Sequence, residues 1–275
     1  DEYLKPYAIF KSDMKDTYVD EMEICSEFEE GIEKQKFQVF YQPVVDAKTG
    51  KIVSAEALVR WFHEQKGFIS PGQFIPALEK GGYISELDRY MIEKVTGCLD
   101  QRRAEKKRFV PVSVNLSWMD FYDENMLEWI VRGLKKNNPN EQKIRFEITE
   151  TSLAAIGENH TRMLMHLKEN GAEILLDDFG SGYSSFGMLQ DYDFDILKMD
   201  ISFVRNIGVN KKSESILRAI IDMAHQLEIR LVAEGAETEE QVAFLRANGC
   251  DYIQGYYYYK PMPENEFLQL LDEGK

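Results

Sequence analysis

The sequence predicts an α/β protein, a TIM-type (β/α)8 barrel modified by one antiparallel strand, and three observations support this. Strand-like and helix-like segments alternate along most of the chain, the pattern of a parallel sheet covered by helices. Seven or eight strand candidates fall within about 240 residues, which suits such a barrel. The first two strand candidates form a hairpin, so one barrel strand runs against the rest. An open doubly wound sheet is the runner-up, but the GxGxxG turn expected after its first strand is missing.

Residues 1–20 read as a tail or linker from something upstream, and 21–275 as one domain. An acidic helix is expected over 21–35, with Phe28 and Ile32 four apart. FQVFYQPVV (37–45), AKTG (47–50) and KIVSAEALVRW (51–61) form strand, turn and returning strand. A helix over 86–99 carries Leu87, Met91, Val95 and Leu99 on one face. Strand 110–116, helix 121–136, strand 143–149 and helix 160–171 follow, the last closed by Gly171. Strands are then expected at 172–178 and 194–200. Next comes a helix over 214–227 with Ile216, Ile220, Ala224 and Leu227 on one side. Strand 229–235, helix 239–249, strand 250–255 and helix 264–271 complete the chain.

Composition narrows the function. A formal charge of -15 argues against binding DNA or RNA through a basic face. KKRF (106–109) is a short solvated helix end. No apolar stretch approaches the roughly 20 residues of a membrane span, and no signal peptide is expected in DEYLKPYAIF. Cys25, Cys98 and Cys250 are few and scattered, as free thiols in a reducing, cytoplasmic compartment would be. His63, His160, His166 and His225 do not cluster and read as structural or surface residues.

ILLDDFGSGYSS (174–185) is the most informative stretch. A buried strand that ends in adjacent carboxylates, Asp177 and Asp178, is costly unless something neutralises them. A divalent cation would do so, and the glycine loop would admit a ligand. Taken alone, the pair is equally well an acidic turn after a core strand.

Polar residues recur at the other strand ends: Glu56, Asn115, Glu147 with Glu150, Lys198 with Asp200, Glu234 with Glu237, and Gln254. In a barrel these ends converge on one face. Singly, each has an ordinary explanation as a cap, surface residue or ion pair. Together they form a hard-ligand set suited to Mg2+ or Mn2+. Five or six such ligands exceed what one Mg2+ usually takes and suggest two ions about 3.5–4 Å apart.

The motifs YQPVV, EALVRW, VNLS, EITE, DDFGSGYSS, LKMD, AEGAET and QGYYYYKP follow one another in this order. Over about residues 21–270 the chain resembles the EAL-domain phosphodiesterases, which hydrolyse bacterial cyclic di-GMP. The signature is Glu56-Ala57-Leu58. The resemblance implies a modified barrel that uses Mg2+ or Mn2+ to give linear pGpG. It implies Glu56, Asn115, Glu147, Asp177 and Asp178 as metal ligands, with Glu234 binding directly or through water. Lys198 would hold the nucleophilic water and offset charge on the phosphate. Glu150 would anchor the loop after Asp178. Gln42, Leu58, Arg60, Asp200, Glu237 and Gln254 would contact substrate or order the site. For Arg60 alone a surface salt bridge is the simpler reading, and most of Tyr256–Tyr259 is expected to be packing.

Phe186-Gly187, Ala236 and Ile201 depart from the commonest family wording, but none is an implied ligand. PYAIFKSDMKD resembles the end of a GGDEF domain and its linker, which implies an upstream GGDEF domain. The family often dimerises near the DDFGSGYSS loop, so a homodimer is implied. An EAL domain that binds cyclic di-GMP without cutting it is the alternative, but such domains usually lack a ligand or the loop glutamate. An enolase- or aldolase-type metal barrel conflicts with the motif order.

Overall fold

A computed structural model describes residues 12–136, 144–156, 161–181 and 185–274. Its strands are β1 (Phe37–Asp46), β2 (Ile52–His63), β3 (Gly67–Ile69), β4 (Val112–Asn115), β5 (Ile144–Thr149), β6 (Glu173–Phe179), β7 (Ile196–Met199), β8 (Arg230–Glu234), β9 (Tyr252–Gln254) and β10 (Met262–Pro263). The helices are α1 (Ser12–Glu33), α2 (Pro71–Gly81), α3 (Ile84–Ala104), α4 (Glu124–Lys136), α5 (Glu150–Ile156), α6 (Thr161–Glu169), α7 (Ser185–Asp191), α8 (Ile201–Arg205), α9 (Lys211–Gln226), α10 (Glu239–Ala247) and α11 (Glu264–Asp272).

Strands β1, β9, β8, β7, β6, β5, β4 and β2 close in that order into an eight-stranded barrel, since β1 also pairs with β2. β1 is antiparallel to both β2 and β9, and the other barrel pairs are parallel. This is the modified barrel the sequence predicts. The short connection between β1 and β2 dictates the reversal. Asp46 Oδ1 accepts from the Thr49 N–H at 2.7 Å and Gly50 turns at φ +71°, which leaves no room for a crossover helix.

Strand alternation sorts the side chains. Those between strands and helices form the large apolar core, which holds Leu176, Leu197, Leu231 and Ile253. Alternate residues point into the barrel. There Val44, Leu175, Ile196 and Val232 form a small separate apolar layer. Two residues further toward the barrel's C-terminal face stand Gln42, Asp177, Lys198 and Glu234. At the opposite end Glu173 is paired with Arg145 and Arg230. The barrel interior is thus an apolar layer between two charged ends.

Some elements differ from the sequence reading. The acidic helix begins at Ser12, inside the stretch read as tail, and residues 1–11 lie outside the described range. β3 and α2 fill a stretch left unassigned, and α2 starts at Pro71 beside a Ser70–Gln73 capping box. The α9 face is rotated. Leu217, Ile220, Ile221 and Ala224 are buried, while Ile216 and Leu227 are exposed. The buried side is centred between Ile220 and Leu217, roughly 50° round from the expected one, and Leu227 is the C-cap just past the helix. Lys143 and His160, included in predicted elements, lie outside the described residues.

Candidate active site

The site is built by period two. Glu56 lies two residues beyond Ser54 on β2, Asn115 beyond Ser113 on β4, and Glu147 beyond Arg145 on β5. Asp177, Lys198, Glu234 and Gln254 stand in the same relation to Leu175, Ile196, Val232 and Tyr252. β1 runs the other way, so Gln42 reaches the same face by preceding Val44. Eight strands thereby deliver one polar residue each to a single end of the barrel.

Lys198 is the hub. Its Nζ lies 2.7 Å from Glu147 Oε2, 2.7 Å from Glu234 Oε1, 3.2 Å from Glu56 Oε2 and 3.2 Å from Asp177 Oδ1. Only 2% of Lys198 is exposed. Burial opposes its charge, but the four carboxylates overcome that and hold the ammonium well above its usual pKa. One cation cannot satisfy all four acids. Burial and the Glu56 charge push Glu147 well above the carboxylate range. Burial, with Asp177 and Glu56 nearby, pushes Glu234 up to about 8. Glu56 is the exception: burial raises it, but Lys198 and hydrogen bonds from Gln254, Lys198 and Asn115 bring it below its usual value.

Adjacent residues on a regular strand face opposite ways, so Asp177 and Asp178 should not share a site. A β-bulge brings them together. Leu176 pairs with Leu197 and Phe179 with Met199, so β6 carries one residue more than β7 across this interval. Asp178 takes φ +56°, the left-handed region that Asp tolerates better than most residues. The bulge turns its carboxyl back toward Asp177 and Glu234. Ligand atoms of Glu56, Glu147 and Asp177 all lie within 4.8 Å of one another, as do those of Asp177, Asp178 and Glu234. The two groups share Asp177.

This arrangement fits divalent cations on its own chemistry. All the charged donors are carboxylate oxygens, which Mg2+ and Mn2+ favour. Glu147 Oε1 is buried with no hydrogen-bond partner among the described residues, an unusual state for a carboxylate unless a ligand is meant to reach it. Lys198 leaves the acids with excess negative charge.

The remaining expected residues fall into two sets. Gln254 Nε2 donates to Glu56 Oε2 at 2.7 Å and to Gln42 Oε1 at 3.2 Å, and Gln42 Nε2 donates to the Tyr259 carbonyl at 3.3 Å. These amides hold Glu56. Glu150 is buried at the start of α5, and its Oε2 accepts from the Gly180 N–H at 3.3 Å. It thus grips the chain just past the acidic pair, where a side chain at Gly180 would run into the Phe203 ring. Leu58, Arg60, Asp200 and Glu237 lie outside the hub. Arg60 is half-buried, 5.8 Å above the Phe40 ring, with Nη1 donating to the Val59 carbonyl. Asp200 caps α8 through the Ser202 N–H. Glu237 is exposed, and its backbone N–H donates to Gln241. Of the tyrosine run, Tyr256 and Tyr257 are exposed, so packing accounts for only part of it.

The sequence reading passes over two buried carboxyls, Asp88 on α3 and Asp120 in the 3-10 turn Trp118–Tyr122. The available signal was Asp88 in line with Ile92, Val95 and Leu99 on an apolar helix face.

Comparison with known proteins places this geometry. Residues 26–261 match the family model described as EAL domain. The chain is 36% identical over 231 residues to the cyclic di-GMP phosphodiesterase PA2567 of Pseudomonas aeruginosa, covering 83% of this chain and 39% of that protein. It is 30% identical over 266 residues to the bifunctional diguanylate cyclase/cyclic di-GMP phosphodiesterase MucR of the same organism, covering 95% of this chain and 38% of MucR. The structure of the PaMucR phosphodiesterase in complex with c-di-GMP superposes with a TM-score of 0.82 at 30% identity, over 89% of this chain and 99% of that one. The chain thus spans well under half the length of these curated relatives. With residues 26–261 matched and the acidic hub in place, the chain belongs to the EAL domain family.

Proposed function

We propose that this chain is a Mg2+- or Mn2+-dependent phosphodiesterase that opens cyclic di-GMP to linear pGpG. The observation that carries the reading is the convergence of Glu56, Glu147, Asp177, Asp178 and Glu234 around the single ammonium of Lys198. Relatives whose names record cyclic di-GMP hydrolysis support the choice of substrate.

Glu56, Asn115, Glu147, Asp177 and Asp178 would hold two cations, with Glu234 acting directly or through water. When bound, such ions supply a hydroxide near neutral pH and neutralise the phosphate. Lys198 Nζ offers hydrogen bonds to the attacking water and a positive charge where the phosphorane-like charge builds. Gln42 and Gln254 keep Glu56 facing the centre. Arg60 presents the planar fork suited to a phosphate or a guanine edge, and Leu58, Asp200 and Glu237 shape the substrate side. Glu150 fixes the loop after Asp178.

In this reading the protein is cytoplasmic or tethered through other parts. It forms a homodimer near that loop and follows a GGDEF domain joined through residues 1–20. Residues 182–184 of the loop lie outside the described range. Among the described residues no helix is long and apolar enough to cross a membrane. The test is incubation of the purified chain with cyclic di-GMP and Mg2+ or Mn2+. Formation of pGpG that stops on chelation is expected. Tight binding without pGpG would leave a cyclic di-GMP receptor and refute the enzyme.

A further inference from the structure

Asn115 differs from the other proposed ligands. It is the neutral one, exposed at the last residue of β4. A cavity of about 100 Å³, lined by Leu58, Arg60, Leu87, Asp88, Met91 and Asn115 among others, lies behind it. Packing alone therefore does not hold this strand end in place. Backbone hydrogen bonds do. The Leu116 N–H donates to the Glu147 carbonyl at 2.8 Å. The next N–H, of Ser117, is shared between two carboxyls, Asp88 Oδ2 at 3.1 Å and Asp120 Oδ2 at 2.9 Å.

Two acids on one amide hydrogen is an expensive arrangement in a protein interior. Asp120 is 0% and Asp88 8% exposed. A single backbone N–H needs only one acceptor, and Asp120 alone would complete the turn's cap. Asp88 comes from a different element, α3, and ties the turn to the helix that backs β2 and β4. Burial and the neighbouring Asp120 push the Asp88 carboxyl well above its usual range.

We infer that Asp88 and Asp120 are positioning residues that fix the end of β4, and so hold the Asn115 side chain against Glu56 at the proposed metal centre. The inference rests on the metal-site reading above. It assigns these carboxyls no contact with substrate or ion. Neighbours of ligands commonly tune metal affinity about 10–100-fold in this way.

The test uses Mn2+ binding followed by electron paramagnetic resonance, with no substrate present, so that it is independent of hydrolysis. Each variant is read well below its own melting temperature. Asp88→Ala and Asp120→Ala are each expected to weaken Mn2+ binding about tenfold in the folded protein. Either variant suffices if the other does not fold. Asp88→Asn, whose amide oxygen can still accept from the Ser117 N–H, is expected to stay within about twofold of wild type. In an Asn115→Ala background the Asp88→Ala loss should shrink to below about twofold, because a positioning residue has nothing left to position. Unchanged Mn2+ affinity in the folded alanine variants, or the same loss with and without Asn115, would overturn the inference. A wild-type chain that binds no Mn2+ would refute the metal-site reading beneath it, and hydrolysis measured separately would distinguish the two failures.

Discussion

The two ends of the barrel interior are built from the same strands and treat charge in opposite ways. At the N-terminal end one carboxylate, Glu173, lies between two guanidinium groups, Arg145 and Arg230. Burial raises the Glu173 pKa, but the arginines and their hydrogen bonds outweigh it and hold the carboxyl below its usual 4.5. At the C-terminal end four carboxylates surround one lysine and a fifth, Asp178, stands beside them. Three of those four are pushed upward. One end neutralises its acid within the protein. The other leaves negative charge for something outside the chain to neutralise, which is how a binding site differs from a structural ion pair.

Substitutions at the two ends should therefore separate activity from stability. The largest effect belongs to Glu56→Ala, which is expected to lower pGpG formation at least a thousandfold, about 4 kcal/mol of barrier. Full activity in an initial-rate assay would remove Glu56 from the ligand set. Glu150→Ala should release the chain at Gly180 and reduce turnover about tenfold, about 1.4 kcal/mol. Hydrogen exchange at Gly180 checks the cause, since its amide should lose protection.

At the other end, Glu173→Gln should leave turnover within about twofold and lower unfolding free energy by about 1 kcal/mol, the scale of hydrogen bonds to charged partners once reduced for their partial exposure. Urea titration measures it. The pH dependence has a definite sign. Because the folded carboxyl is depressed, its contribution is present above pH 4.5 and lost as the pH falls through the folded value. The gap between wild type and Glu173→Gln should thus narrow in acid. An equally small expected change in stability, and the sharpest contrast, is Asp177→Asn. Removing one of several like charges should raise metal-free stability by about 1 kcal/mol while abolishing turnover, a trade common at functional sites. Calorimetry in chelator gives the sign.

Much of this was legible in the sequence because it follows from period two. Lys198 and Glu234 had to face the same way as Ile196 and Val232, and barrel closure then brought them together. The short turn after Asp46 revealed the antiparallel β1. What could not be read depends on backbone irregularity or on partners distant in sequence. Strict alternation would have separated Asp177 from Asp178, and only the bulge against β7 unites them. The apolar face of α3 hints that Asp88 is buried, but its meeting with Asp120, 32 positions away, is announced by no local pattern. On α9, apolar residues at 216, 217, 220 and 221 span more than one face, so the pattern alone does not say that Leu217 and Ile221 are buried and Ile216 exposed.

The most direct measurement is the melting temperature of the wild-type chain as Mn2+ is added after chelation. If the C-terminal carboxylates are a metal centre, Mn2+ at about 100 times its dissociation constant should add about 2.7 kcal/mol of stability. That is a rise on the order of 5–10 °C for a chain of this size, and Asp177→Asn should begin higher and respond little. A wild-type melting temperature that stays flat up to millimolar Mn2+, or that Asp177→Asn lowers in chelator, would contradict the account and make these acids structural.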